Sequence, residues 1–354
     1  MELRWPPHID VVIPVRNRAR FIGQCLDSVR AQTLQPSTVV VVDDGSTDDT
    51  PGILAEYGRY WPRLHVLRSE PRGASRARNL GLATCRAPLV AFLDSDDIWL
   101  PEKLERQAML FTSGQPELGF VHCGCFQIDE FGRMPTGGRT HIPSKRGDVF
   151  GDLLEGFYHV CGSASAVVAR RDLVARLGGF DEMLFYGEDA DLWIRLAHLS
   201  QMDYVPEPLV GLRVHQGNSH LRELPRKEEV FLFQRLRIWN KWYDRIENLN
   251  AVLDCFRLEV WSDTETEAIR ARPNFGLYGR LKRSELELAR QLFPDLLSYV
   301  RYALIVTFRR IKSRPKLRPI LDCIKSIVAR HLILRSNLLL RLMQKMGKFQ
   351  MTSE

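Results

Sequence analysis

The sequence predicts an α/β protein: an open, mostly parallel sheet flanked by helices, with a helical extension at its C-terminal side. Three observations carry that expectation. Short aliphatic runs recur at VVI (11–13), TVVVV (38–42), LHVL (64–67) and LVAFL (89–93). The segments between them place apolar residues at helical spacing, and beyond Leu224 the pattern is helical almost throughout. Unbroken aliphatic runs suit strands covered on both faces. Their alternation with helices makes βαβ units, which set parallel strands side by side through right-handed crossovers.

The elements follow in order. After the first run, Phe21, Ile22, Cys25, Leu26 and Val29 mark one face of a helix. Thr50-Pro51 opens the next helix, since proline lacks only an N–H that the first turn leaves unpaired anyway. GASRARNLGLA (73–83) reads as a third helix, and Pro101 opens a fourth that runs to about Phe111. Residues 115–150, rich in Gly, Pro and Arg, read as loops around one or two strands. SASAVVARRDLVARLGGF (163–180) reads as a strand, a short helix and a glycine stop. Leu192, Leu196 and Leu199 then mark a helix, and short apolar runs follow near 202–214. The expected division is an α/β domain over 1–222 and a basic, mainly helical region over 223–354.

Charge separates the two parts. Residues 1–225 carry 24 Lys+Arg against 29 Asp+Glu, whereas residues 226–354 carry 26 against 14, within an overall net charge of +7. An acidic module joined to a basic arm expects an anionic partner for the arm. Seven dispersed cysteines without a CxxC fit neither a disulfide framework nor a zinc site, and favour a reducing cytoplasm. The N-terminal MELRWPPHID has no signal-peptide core, and no run of 18 apolar residues suggests a spanning helix.

Three acidic clusters fall after apolar runs or at loop–helix junctions: Asp43 and Asp44 in VVDDGSTDDT, Asp94, Asp96 and Asp97 in LDSDD, and Glu188, Asp189 and Asp191 in GEDAD. In an open α/β sheet, ligands bind outside the carboxyl ends of the strands. Carboxylates that converge there need compensation, and a divalent cation supplies it, sharing its other positions with water and substrate phosphate. Arg78 and Asn79, on the preceding helix, are expected to reach the same crevice. Each cluster alone has an ordinary explanation: DDGST as a turn, a lone DxD as a surface acid pair, GEDAD as a complement to a helix dipole. His215 alone reads as a packing histidine. Three such clusters in one consistent α/β pattern are hard to explain that way.

With these pieces in order, the sequence resembles a family-2 glycosyltransferase of the inverting, GT-A, Rossmann-like kind. The resemblance rests on VVIPVRN (11–17), SVRAQT (28–33), VVVVDDGSTDDT (39–50), GASRARNLGL (73–82), LVAFLDSDDIWLPEKLE (89–105), GGFDE (178–182), YGEDADLWIRLA (186–197) and GLRVHQGNS (211–219). It covers about residues 8–220. It implies that Pro14, Val15 and Asn17 cradle a nucleotide, that Asp44 and Asp43 meet the nucleobase, and that Arg78 and Asn79 lie near the diphosphate. It further implies that Asp94, Ser95 and Asp96 bind the nucleotide-sugar, with Asp96 and His215 on a Mn2+ or Mg2+ ion. Asp189 matches the catalytic base; Glu188, Asp97, Asp191 and Trp193 would support it or meet the acceptor.

The implied reaction moves a sugar from a nucleoside diphosphate donor, a UDP-sugar foremost, to a saccharide or lipid-linked acceptor, by default in bacterial surface-polysaccharide synthesis. A nucleotidyltransferase is disfavoured because IPVRNRARF has no Gly-rich loop, and a non-catalytic membrane scaffold because Asp96 and Asp189 are both present. Apolar residues at helical spacing with interspersed Lys and Arg over 293–348 suggest either a packed helical subdomain or an interfacial segment on anionic lipid, placing the enzyme at the cytoplasmic membrane face. Few aromatics there disfavour nucleic acid.

Overall fold

The computed structural model describes residues 5–113, 115–155, 163–184 and 187–215, together with 238, 241 and 242. The chain divides into two compact units, Met1–Gln234 and Arg235–Glu354, and every strand and helix named here belongs to the first. The expected boundary at 222 and the 293–348 segment lie outside the described residues.

The parallel half of the sheet is built from β1 (Ile9–Val15), β2 (Thr38–Asp43), β3 (Leu64–Arg68) and β4 (Leu89–Phe92). All seven positions of β1 and all four of β4 are buried, the one charged residue among them, Asp10, accepting from Arg86 N and Ala87 N. Between them run α1 (Ile22–Arg30), α2 (Thr50–Tyr60) and α3 (Ala74–Thr84). Helix α1 turns Ile22, Cys25, Leu26 and Val29 into the core. Burying aliphatic side chains like these stabilises by roughly 1.5–3 kcal/mol each. Helix α3 lies so close to the sheet that a Cβ on Gly81 would sit 2.6 Å from Val12 Cγ1, so only glycine fits there.

The sheet then changes direction. After β4 come β5 (Ile98–Trp99), α4 (Lys103–Phe111), β6 (Leu118–Ile128), β7 (Thr140–His141), α5 (Phe150–Glu155), β8 (Val167–Arg170), α6 (Arg171–Arg176), α7 (Glu188–Ala197) and β9 (Gln201–Arg213). The strand order is β3-β2-β1-β4-β8-β6-β9-β5, with β7 on β6. Strand β8 is antiparallel to both β4 and β6, while β6 and β9 run parallel. The loops around one or two strands expected over 115–150 are β6 and β7 with their turns.

Register decides what meets at the edge. Val15 pairs with Asp43, Asp43 with Arg68, and Val12 with Phe92. The carboxyl ends of four parallel strands therefore open on one side, and the segments at Asn17, Asp44, Ser69 and Asp94 emerge together. Among the described residues, no helix is long and apolar enough to cross a membrane.

Candidate active site

The loop after β1 is clasped to the loop after β2. Asn17 has φ 51°, the left-handed region that asparagine tolerates better than most residues. In that conformation its N–H donates to Ser46 Oγ at 2.9 Å and its Oδ1 accepts from Thr47 N at 2.8 Å. Asp43 accepts from Ser46 N at 2.8 Å and closes the DDGS turn. Gly45, at φ 72°, packs where a Cβ would stand 2.8 Å from Pro71 Cδ. Asp44 spends one oxygen on Arg72 N and the other on Gly73 N, both at 2.8 Å, so it anchors the entry to α3. A shallow cleft of about 350 Å³ lies beside Asp43, walled by Pro51, Leu54, Leu64, Val66 and Arg68, and it does not include the DSDD or GED residues.

Three carboxylates in four positions after β4 should repel one another, yet each has its own compensator. Asp94 Oδ1 accepts from Arg78 Nη2 at 2.6 Å. Asp96 Oδ2 lies 3.2 Å from Arg18 Nε and 3.0 Å from His215 Nε2. Asp97 accepts from Ser165 Oγ at 2.6 Å and from Arg213 N at 2.9 Å. The consequences differ. Burial pushes Asp97 well above the usual carboxylate range, helped by the charges of Asp96 and Asp94. Burial also raises Asp94, despite Arg78. For Asp96, burial is outweighed by the His215 hydrogen bond and the Arg18 charge, and its carboxyl titrates lower than usual. Asp96 is thus the member of the trio whose carboxyl is shifted toward the anion. Ser95 beside it is buried.

Arg78 joins this cluster to the third one. Its guanidinium, buried under the Phe180 ring, donates to Asp94 and, through Nη1, to Glu188 Oε1 at 2.9 Å. Burial favours its neutral form, but the two carboxylates overcome that and raise its pKa. Glu188 and Asp189 open α7, where the helix N-terminus favours negative charge. Asp189 is half-buried, with Oδ1 accepting from Ala190 N at 2.7 Å. Burial and the Glu188 charge push it up to about 7, against the pull of that N–H and of Arg78. A carboxyl near 7 is suited to taking up a proton at neutral pH.

The other expected residues are placed behind the site. Asn79 bonds Phe180 N and O at 2.8 and 2.9 Å and so holds the GGF turn. Asp191 is fully buried against Arg195, whose guanidinium also reaches Leu177 O and Gly179 O. Trp193 packs among Phe92, Phe120 and Phe180. Pro14 and Val15 are buried strand residues that lead to Asn17. These groups shape the crevice rather than face it. Three residues that sequence reasoning passed over do bear on it: Arg18 and Arg213 through Asp96, and Ser165 through Asp97. Arg213 had a visible signal, a lone arginine in the apolar run LVGLRV; Ser165, in SASA, had none.

The profile of Glycosyl transferase family 2 matches residues 10–175, from β1 into α6. The amylovoran biosynthesis glycosyltransferase AmsE of Erwinia amylovora is 30% identical over 209 residues, spanning 57% of this chain and 75% of its own. S. aureus TarS, solved in complex with UDP-GlcNAc, superposes with a TM-score of 0.58 at 19% identity, covering 97% of this chain and 93% of that one. The Pyrobaculum calidifontis mannosyltransferase PcManGT, in complex with GDP-Man and Mn2+, gives 0.50 at 18% identity over 94% and 88% of the two chains. The two superpositions establish the GT-A fold. The AmsE alignment, with the matching family model, shows that the chain belongs to glycosyltransferase family 2.

Proposed function

We propose that this chain is an inverting, cation-assisted glycosyltransferase. It moves a sugar from a nucleoside diphosphate donor, a UDP-sugar foremost, to a hydroxyl of a saccharide or lipid-linked saccharide in surface-polysaccharide synthesis. The observation that carries this reading is the Arg78 bridge, which draws the DSDD turn and the GED helix start into one polar cluster at the strand ends. UDP-GlcNAc in TarS and GDP-Man in PcManGT support the donor class, and the name of AmsE supports the pathway.

The residues present fit a hard divalent cation. The Asp96 carboxyl, which titrates lower than usual, lies 3.0 Å from His215 Nε2, so an oxygen and a nitrogen donor stand side by side. Mg2+ or Mn2+ commonly takes one or two protein groups and completes its shell with water and phosphate. Among the described residues no three His, Cys, Asp or Glu side chains are placed to hold a metal without such help. When bound, the cation supplies positive charge for the departing diphosphate.

This chain's own residues do the rest. Asp189 takes the proton of the acceptor hydroxyl while that oxygen bonds to C1 of the sugar and the C1–diphosphate bond breaks. Glu188 keeps Asp189 basic enough for the task by its charge, and Arg78 holds Glu188 in place. Arg18 adds a second positive group at the Asp96 end. One displacement, with one base, inverts the anomeric centre. The basic region beyond residue 225, with 26 Lys+Arg to 14 Asp+Glu, would hold the enzyme against the anionic cytoplasmic membrane face, where lipid-linked acceptors lie.

A panel of UDP- and GDP-sugars, each with Mn2+ or Mg2+, tests the reading by thermal unfolding. A donor at about 100 times its Kd should add about 2.7 kcal/mol of stability. If no nucleotide-sugar raises the transition temperature with either ion, the assignment fails.

A further inference from the structure

We propose that Arg213 is a positioning residue that sets the main chain of Asp96, and so aims the carboxylate at the cation and diphosphate end of the donor site. The inference rests on the donor-site reading above. Arg213 is 2% exposed at the end of β9, where a buried guanidinium must have its donors satisfied. Its Nε donates to Asp96 O at 2.6 Å, Nη1 to Asp129 O and Glu130 O at 3.1 Å each, and Nη2 to Gln24 Oε1 at 2.8 Å. Its own N–H donates to Asp97 Oδ1 at 2.9 Å. One side chain thus ties three segments together: the DSDD turn, the start of α1 and the turn after β6.

The spacing to His215 gives this hub a direction. In extended chain, residues two apart face the same way. Arg213 and His215 accordingly lie on one side, while Val214 between them is 42% exposed. Arg213 holds the Asp96 carbonyl and His215 holds the Asp96 carboxylate, so one short segment grips both ends of one residue. Phe21 locks the pair: its ring centroid is 5.0 Å from the Arg213 guanidinium and 4.6 Å from the His215 ring. The turn on the far side is self-closed, with Asp129 Oδ1 accepting from both Phe131 N and Arg133 N at 2.9 Å, so Arg213 is braced against a stiff partner. A lysine cannot replace it, because a single ammonium does not reach four diverging acceptors as a planar fork does.

Calorimetric titration of the full chain with UDP, and in parallel with GDP, measures this with and without Mn2+. Arg213→Lys should lose about tenfold or more of the Mn2+-dependent gain in nucleotide affinity, the usual scale for groups that orient a metal ligand. Affinity without Mn2+ should stay within about twofold. Gln24→Ala, at an exposed position that tolerates truncation, should shift the same quantity in the same direction by about threefold, and it carries the test if Arg213→Lys fails to fold. A loss of equal proportion with and without Mn2+, or no change in either variant, overturns the positioning role. If the wild-type chain shows no Mn2+-dependent gain for either nucleotide, the donor-site reading itself falls.

Discussion

Asp189→Asn separates chemistry from folding at one position. The Asp189 carboxyl titrates near 7 in the folded chain against an ordinary 3.8, so the folded state holds its proton more tightly than the unfolded state does. Stability therefore falls as pH rises between those values, and the penalty is complete above about 7. The gap between 3.8 and about 7 corresponds to a ceiling of about 4 kcal/mol. Water reaches the half-buried side chain and screens the Glu188 charge, so we expect on the order of 1–2 kcal/mol. Asparagine carries no charge and escapes the penalty. Asp189→Asn should unfold later than wild type at pH 8 in urea titrations, and at the same point near pH 4. Its turnover should fall by about 10²–10⁴, the usual contribution of a general base, while nucleotide affinity is retained. Turnover within about tenfold of wild type, or a stability difference that does not grow with pH, refutes the reasoning.

The neighbouring residues give further tests. Glu188→Gln removes the charge that raises Asp189, so the acid limb of the pH–rate profile should move to lower pH; a limb that stays put disconnects the two carboxyls. Arg78→Met leaves Asp94 and Glu188 without their shared cation and should cost about 3 kcal/mol in chemical denaturation, the low end for a broken buried pair because the Asp94 side chain is 31% exposed; an unchanged midpoint would show that the bridge adds nothing. Chelation by EDTA should remove turnover, with Mn2+ or Mg2+ restoring it, and Asp96→Asn should lower it by about 10²–10³ even at saturating cation; full activity in EDTA excludes the cation. Deleting residues 293–354 should release the protein from anionic vesicles in flotation assays, and persistent binding would move the membrane contact elsewhere.

How much of this was legible in the sequence depends on what kind of fact is asked for. Strands β1, β2 and β4 announce themselves because a strand buried on both faces is mostly aliphatic, as VVI, VVVV and LVAF are. Helix α1 is equally plain from its apolar face. The reversal of direction at β8 is not, since VVAR reads the same in a parallel or an antiparallel ladder. In the site, acidic clusters could be located but their roles could not be divided. Asp94, Asp96 and Asp97 differ only in what lies opposite: Arg78, Arg18 with His215, and Ser165 with Arg213, all distant in the chain. Asn79 and Asp191 look like site residues because they sit inside motifs, but their polar atoms are engaged with the GGF turn and with Arg195. A motif records which residues recur together, and only packing shows which of them face the ligand.

The central claim is a single displacement at the sugar carbon, with Asp189 the only protein group that exchanges a proton there. The anomeric configuration of the first-formed sugar, followed by proton NMR as the enzyme slowly hydrolyses an α-linked nucleotide-sugar identified in the donor screen, tests that most directly. We predict that the β-anomer appears first and the α-anomer grows only at the rate of mutarotation. An α-anomer released at the outset would mean net retention, and would contradict a single inverting displacement.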